Sequence, residues 1–497
     1  MPARHSVLSL KQCCLKRIAL TFESFWMQSY NEYFRDLPRI LYILGPFDHL
    51  TNEMVQDLID SLVDKACLKK NHVQVLLQES VTKLNLHHIG PALQDSVLQT
   101  ISIRCPRLTV LDLSFAQVSP RSMCDFLKCI PEIKHLNLSN TKCNDQVLSV
   151  IGHNCPKLHH LAINFTPVTD SGLFSLCQAP MDTAGCKQIT HLDIRGTTVR
   201  LRGALHCLQN LPDIHYLGFD SICDVIAKDI ELRRKNGKEA KIYKFREICD
   251  DFLGTKPDSI LSVCQWCPYV CKAVFTSGIT DENFKAMSAL KHLRTLHICS
   301  SGSNAVTFTA GVLSLLKDIG HQLEDFMLVD VDFVDLTAIG MYCKNLASLT
   351  LWTQDQTESP TNAIDLQGLN LFQIYKKLTS CVICMNPNFG PGKVMTGLSV
   401  LLKAALLLQR LSLSYMETLT SDVFMDVLNF NQLSHLEAAC FPSCPNLGPD
   451  VVVRLLQGSN QLQKLDLTHC EKITRKNYEE FKAFVALNNF KLDISWI

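Results

Sequence analysis

The feature that most constrains this chain is a short pattern, leucine-x-leucine, that returns at nearly fixed spacing. It reads VLDLSF from Val110, HLNLSN from His135, HLAINF from His160, HLDIRG from His191 and YLGFDS from Tyr216, in steps of 25 residues and one of 31. After an interruption it returns as TLHICS from Thr295, DFMLVD from Asp325, SLTLWT from Ser348, RLSLSY from Arg410, HLEAAC from His435 and KLDLTH from Lys464, and it ends with KLDISWI. Such alternation marks a strand with one buried face. Between the strands lie stretches such as SVLQTISIRCPRL (96–108) and QVLSVIGHNCPKL (146–158), whose apolar residues recur at the helical spacings of three and four. Each unit is therefore strand, turn and helix, and an array of such units grows without adding separate cores.

Several of the helical stretches end in Cys-Pro-x-Leu, at Cys105 and Cys155, and more loosely at Cys343. Proline stops the helix, and the cysteine fits a tight buried corner. A period in the twenties with this consensus resembles the leucine-rich-repeat superfamily, most closely its cysteine-containing subtype known from F-box proteins. The resemblance implies an α/β solenoid, a horseshoe with a parallel sheet on the concave face and helices on the convex face. It divides the chain into an N-terminal helical module (1–78), repeats (79–223), a charged helical insertion (224–260) and further repeats (261–497). A second break, the polar stretch 354–370, reads as a loop inside a later repeat.

Composition narrows the function classes. Lys+Arg and Asp+Glu balance at 48 each, which leaves no long-range field to draw in nucleic acid or anionic lipid. The start, MPARHSVLSLKQCC, has no apolar signal core, and no run of about 18 apolar residues occurs, so neither secretion nor a membrane span is expected. A cytoplasmic or nuclear protein follows, in which the 23 cysteines are reduced thiols packed as small hydrophobes.

In a strand reading x-Leu-x-Leu-x the leucines enter the core and the x residues face outward. The first outward column is Val110, His135, His160, His191, Tyr216, the second includes Asp112, Asn137 and Asp193, and the third includes Ser114, Ser139 and Arg195. Later repeats contribute Thr295, His297, Asp325, Thr350, Trp352, Arg410, His435 and Lys464. This polar and aromatic strip suits a protein or peptide substrate, with His135, His160, His191, Asp193, Arg195, Tyr216, Trp352 and Arg410 as candidate contacts and exposed Trp352 as the anchor. Three stacked histidines raise the question of zinc, but parallel strands in register do not offer a tetrahedral ligand set. Cys264-x-x-Cys267 and Cys381-x-x-Cys384 each lack a matching second pair. With no phosphate loop, nucleophile elbow or acid–base pair of carboxylates, neither catalysis nor a cofactor is expected.

The N-terminal module carries the sharpest functional signal. SLKQCCLKRIALTFESFW from Ser9 reads as an amphipathic helix, with Leu10, Cys14 and Ile18 four apart and Leu15, Phe22 and Phe25 beside them. Ser9-Leu10-x-x-x-Cys14-x-x-x-Ile18 is similar to the BC box of elongin-B/C-binding proteins, and Asp36-Leu37-Pro38-Arg39-Ile40-Leu41 to the cullin box that follows it. The order of modules resembles the Zyg-type and PRAME-type substrate receptors of elongin-BC cullin-2 ubiquitin ligases. That resemblance implies that Leu10, Cys14, Leu15 and Ile18 dock on elongin C, a helix-in-groove mode, while Leu37, Pro38 and Leu41 engage the cullin. Two other readings stand beside it: Leu37-Pro38 as the start of an F-box of a cullin-1 adaptor, and helices that merely cap a repeat scaffold outside the ubiquitin system.

Overall fold

The computed structural model of the protein describes residues 2, 9–28, 30, 47, 49–64, 68–87, 95–177, 185–239, 241–251, 254–301, 306–331, 333–353, 371–385 and 397–497. The chain folds as two compact units, one over Val7–Glu239 and the other over Ala240–Ile497.

In the first unit β1 (Lys83–Asn85), β2 (Val110–Asp112), β3 (His135–Asn137), β4 (His160–Ala162), β5 (His191–Asp193) and β6 (Tyr216–Gly218) form one parallel sheet in sequence order. The register is regular: Val110, His135, His160, His191 and Tyr216 lie side by side on successive strands. Alternation explains why. The central Leu84, Leu111, Leu136, Leu161, Leu192 and Leu217 are all buried, and slipping any strand by one residue would turn its leucine to water. Each buried leucine contributes about 1.5–3 kcal/mol of burial energy, repeated once or more per unit.

Turns are as regular as strands. Three residues beyond β2, β3 and β4, Phe115, Asn140 and Phe165 adopt the left-handed conformation (φ 64°, 56° and 55°). A residue with a β-carbon costs about 1–2 kcal/mol there. An inter-repeat bond offsets it: the N–H groups of Phe115, Asn140 and Phe165 donate to the carbonyls of Ser139, Asn164 and Arg195 at 3.0, 2.9 and 2.9 Å. The helices between strands begin in a matching way. Asp145, first residue of the helix Asp145–Asn154, accepts from the Thr169 N–H (2.8 Å) and hydroxyl (2.6 Å) just ahead of the helix Asp170–Cys177. A carboxylate at this end also suits the helix dipole. Gly172 leaves it room, since a β-carbon there would lie 2.5 Å from the Asp145 Oδ1.

The Cys-Pro corners close the helices as their sequence implies. Cys155, Cys267 and Cys343 each follow the last turn with similar angles (φ −118°, −119° and −98°) and are fully buried. Burial pushes the Cys105, Cys155 and Cys343 thiols up to about 12, so they pack as neutral groups.

In the second unit β7 (Glu247–Asp250) opens a parallel sheet that continues in order through β8 (Lys272–Ser277), β9 (Thr295–Ser301), β10 (Asp325–Val329), β11 (Ser348–Thr353), β12 (Ser380–Met385) and β13 (Arg410–Ser414), and then through β14 (Ala438–Cys440), β15 (Lys464–Asp466) and β16 (Asp493–Ser495). Two readings need correcting here. HLEAAC does not begin its strand at His435: Arg410 pairs with Ala438, so the strand starts three residues later. The 224–260 stretch is not a uniform helical insertion. Its helix, Ile222–Lys235, belongs to the first unit and buries Ile222, Val225, Ile226 and Ile230, while Glu247–Asp250 is a strand of the second sheet. Charge on the exposed helix face hid that apolar stripe. The polar stretch 354–370 lies outside the described residues.

Candidate protein-binding faces

Three surfaces concern function: the N-terminal helix and the solvent-facing side of each sheet. The helix Leu10–Thr21 starts at Ser9, which accepts from the Gln12 N–H (3.2 Å) while Gln12 Oε1 accepts from the Ser9 N–H (3.0 Å). This capping box fixes where the helix begins, and so which side each later residue takes. Ala19 and the following Phe22 are buried, and Lys11 pairs with Asp57 of the helix Asn52–Asp64 at 2.6 Å. Leu15 and Ile18 are half-buried. Leu10 is 80% exposed and Cys14 is exposed. Leu10, Cys14 and Ile18 therefore run up one flank of the helix, uncovered at its start and sheltered at its end, while Leu15 sits on the side of Ala19 and Phe22. Leu37, Pro38 and Leu41 lie outside the described residues.

The helix Asn52–Asp64 also closes the sheet. Asn52 Oδ1 accepts from the N–H groups of Thr82 (3.0 Å) and Lys83 (3.2 Å), and Gln56, one turn later, accepts from the Asn85 N–H (2.9 Å) and donates to its carbonyl (3.0 Å). Two side-chain amides stand where a neighbouring strand would be, so the edge of β1 cannot template another chain. No sequence signal marks this device.

On the first sheet His135, His160 and His191 stack face to face, with ring centroids 4.3 and 4.0 Å apart, and Tyr216 follows at 6.3 Å. Stacking points the ring faces at one another and does not converge the nitrogens on a point. Among the described residues no group of three or more histidine, cysteine or acidic side chains is placed to hold a metal ion. Burial, then the charges of His191, His135 and His159, lowers His160 to about 4; burial, then His159, Lys134 and Lys83, lowers His135. Both rings are neutral at neutral pH.

The next column is a hydrogen-bonded ladder. Asp112 accepts from the Ser114 N–H and hydroxyl (2.8 and 2.6 Å) and from Asn137 Nδ2 (2.9 Å), and Asn137 Oδ1 accepts from the Ser139 N–H and hydroxyl (3.0 and 2.6 Å). Asp193 and Arg195 hold each other, Nη2 to Oδ2 at 2.8 Å, so they form an ion pair and not two independent contacts. Beyond the ladder Phe115 and Phe165 are 48% and 61% exposed, held outward by their left-handed backbone. Phe165 lies over Gly196, where a β-carbon would be 2.5 Å from its ring. The leucine pattern could not reveal these aromatics, which sit one residue past it.

The second sheet presents different chemistry. Val329, Trp352 and Cys384 adjoin on β10, β11 and β12, with Met327, Thr350 and Val382 in the neighbouring column. Trp352 is 51% exposed, and Arg410 is exposed at the start of β13. Cys381 and Cys384 point to opposite sides of β12, Cys381 buried and Cys384 half-buried, because three residues along a strand reverse the face. They cannot share a metal ion. Between β9 and β10 His297 Nε2 meets Asp325 Oδ2 at 2.9 Å.

A leucine-rich-repeat family model matches residues 154–177, which span the Cys155 corner, β4 and the helix Asp170–Cys177. The fold is a leucine-rich-repeat solenoid. Solved structures similar to it include an internalin of Listeria monocytogenes (15% identity, TM-score 0.33, covering 88% of this chain and 92% of that one). The yeast Rad7 and Elc1 complex is similar over 96% of this chain and 91% of that one, at 13% identity and a TM-score of 0.37. A leucine-rich-repeat protein of Leptospira interrogans covers 86% of this chain and 92% of its own, at 13% identity and 0.35. No curated protein sequence matches the chain. Leucine-rich repeats of this kind are protein-interaction scaffolds, and both sheet faces offer the exposed columns that such binding uses. No described helix is long and apolar enough to cross a membrane.

Proposed function

We propose that this protein is the substrate receptor of an elongin-B/C cullin-2 RING ubiquitin ligase, acting in the cytoplasm or nucleus without catalysing a reaction itself. The observation that carries the reading is the uncovered flank of the first helix. Leu10 and Cys14 are exposed one turn apart on a capped helix whose other side is packed, which is how a helix offers itself to a partner's groove. Ile18 continues the flank, Leu15 braces the helix from its packed side, and Leu37, Pro38 and Leu41 supply the cullin contact. The repeats hold the substrate, raising its local concentration beside the ligase.

The test is elongin B/C pull-down by the full chain and by a Leu10→Ala, Cys14→Ala double variant. Capture by the wild type and loss in the variant, with an unchanged melting curve, supports the reading; absence of elongin from the wild-type pull-down ends it. The Asn52 and Gln56 amides favour a second reading, in which the N-terminal helices only cap the repeats and the chain is a scaffold outside the ubiquitin system. Equal elongin capture by wild type and variant would exclude docking through Leu10 and Cys14.

A further inference from the structure

The exposed side of the first sheet is unevenly charged. Two of its carboxylates are already satisfied: Asp112 by the Ser114 and Asn137 donors, Asp193 by Arg195. Two of its cations are not. Lys83 at the start of β1 and Lys134 just ahead of β3 are exposed, and neither makes an ion pair among the described residues. Both bear on His135, as does His159, and His160 feels His135, His159 and His191 in turn. At the start of the strands the face thus carries spare positive charge around a stack of imidazoles whose protonation is suppressed by burial and by these neighbours. A carboxylate set there would pair with the lysines and reverse the suppression.

We propose that this face binds an acidic peptide segment of the substrate, with its carboxylates over His135, His160, Lys83 and Lys134, and that binding takes up protons. The inference rests on the reading of the repeats as the substrate surface. A peptide fits better than a nucleic acid. Asp112 and Asp220 border the same face and repel a uniform polyanion, whereas an extended peptide can place acidic side chains on one side and neutral ones on the other. His215 and Tyr216 close the far end of the stack, edge-on and tilted to His191.

The experiment uses the full chain and a fluorescent peptide of alternating glutamate and serine, with a glutamine-for-glutamate control and a single-stranded RNA of similar length. Affinity for the glutamate peptide should rise several-fold as pH falls from about 7 to about 5, the limit for one imidazole raised by roughly one unit on binding being about tenfold. Calorimetry in two buffers of different ionisation enthalpy should show net proton uptake. A His135→Gln, His160→Gln variant should lose the pH dependence while Lys83→Ala, Lys134→Ala weakens binding at both pH values. Equal binding of the glutamine control, tighter binding of the RNA, or affinity without proton uptake would overturn the proposal. Failure here with elongin capture intact would sink only the acidic-peptide reading; peptide binding without elongin capture would sink only the ligase.

Discussion

The outward side of the first sheet and that of β10–β12 in the second, both built on buried apolar inward residues, have opposite characters. In the first unit the outward residues are tied to one another: the Asp112–Asn137–Ser139 ladder, the Asp193–Arg195 pair and the histidine stack. In the second, Met327, Val329, Trp352, Val382 and Cys384 are apolar or weakly polar, and Trp352 stands half in water. The inward positions are alike in being buried and apolar because every repeat must cover the same stripe; the outward ones are released from that demand and can differ. A polar face stabilises the molecule through its own bonds, whereas an apolar one contributes mainly when a partner covers it.

The largest test of that comparison lies beneath both faces. Leu161→Ala in the first sheet and Leu351→Ala in the second should each cost about 2–5 kcal/mol in urea unfolding, since both are buried. Losses of similar size would place the whole difference on the outward side; a loss in only one sheet would break the comparison. Next comes the edge. Asn52→Ala with Gln56→Ala should cost about 1–3 kcal/mol by leaving β1 amides unpaired. Amide exchange at Lys83 and Asn85 should quicken, and sedimentation should show concentration-dependent association through the bare edge.

The faces themselves give smaller and more telling effects. Asp112→Ala should destabilise by about 1–2 kcal/mol because Ser114 and Asn137 lose their acceptor. Trp352→Ala, although it removes far more surface, should stay within about 0.5 kcal/mol because its ring is half exposed. Reversal of that order would refute the division into a self-bonded and an open face. The smallest effect is in the acid limb. His160 binds its proton at about 4 when folded against an ordinary 6.5, so the unfolded chain is protonated first as pH falls. Stability from this group is whole above about 6.5 and declines toward about 4; His160→Gln should flatten that part of a urea-midpoint profile while Trp352→Ala leaves it unchanged.

Much of the fold was legible. Strands begin at Val110, His135, His160, His191, Tyr216, Thr295, Asp325, Ser348, Arg410 and Lys464, where the alternation places them. The failures are instructive. HLEAAC misleads because its true strand, Ala438–Cys440, is made of small residues and the flanking Leu436 mimics the pattern; only pairing with Arg410–Ser412 sets the register. The strand Glu247–Asp250 was hidden by neighbouring charge. Of the candidate contacts, the sequence could assign His135, His160 and His191 to one column, but not stack their rings, nor join Asp193 to Arg195.

The sequence by itself determined the repeat, its period, its buried stripe and the cysteine corners, because those follow from local periodicity and from where apolar groups must go. Tertiary structure alone decided which outward groups meet. It put Asn52 and Gln56 against β1, turned Phe115 and Phe165 outward, left Leu10 and Cys14 uncovered, and stacked the rings of His135, His160 and His191. Each of these depends on contact between residues about one repeat apart or on the backbone turn between them, and neither leaves a period in the chain for a reader to find.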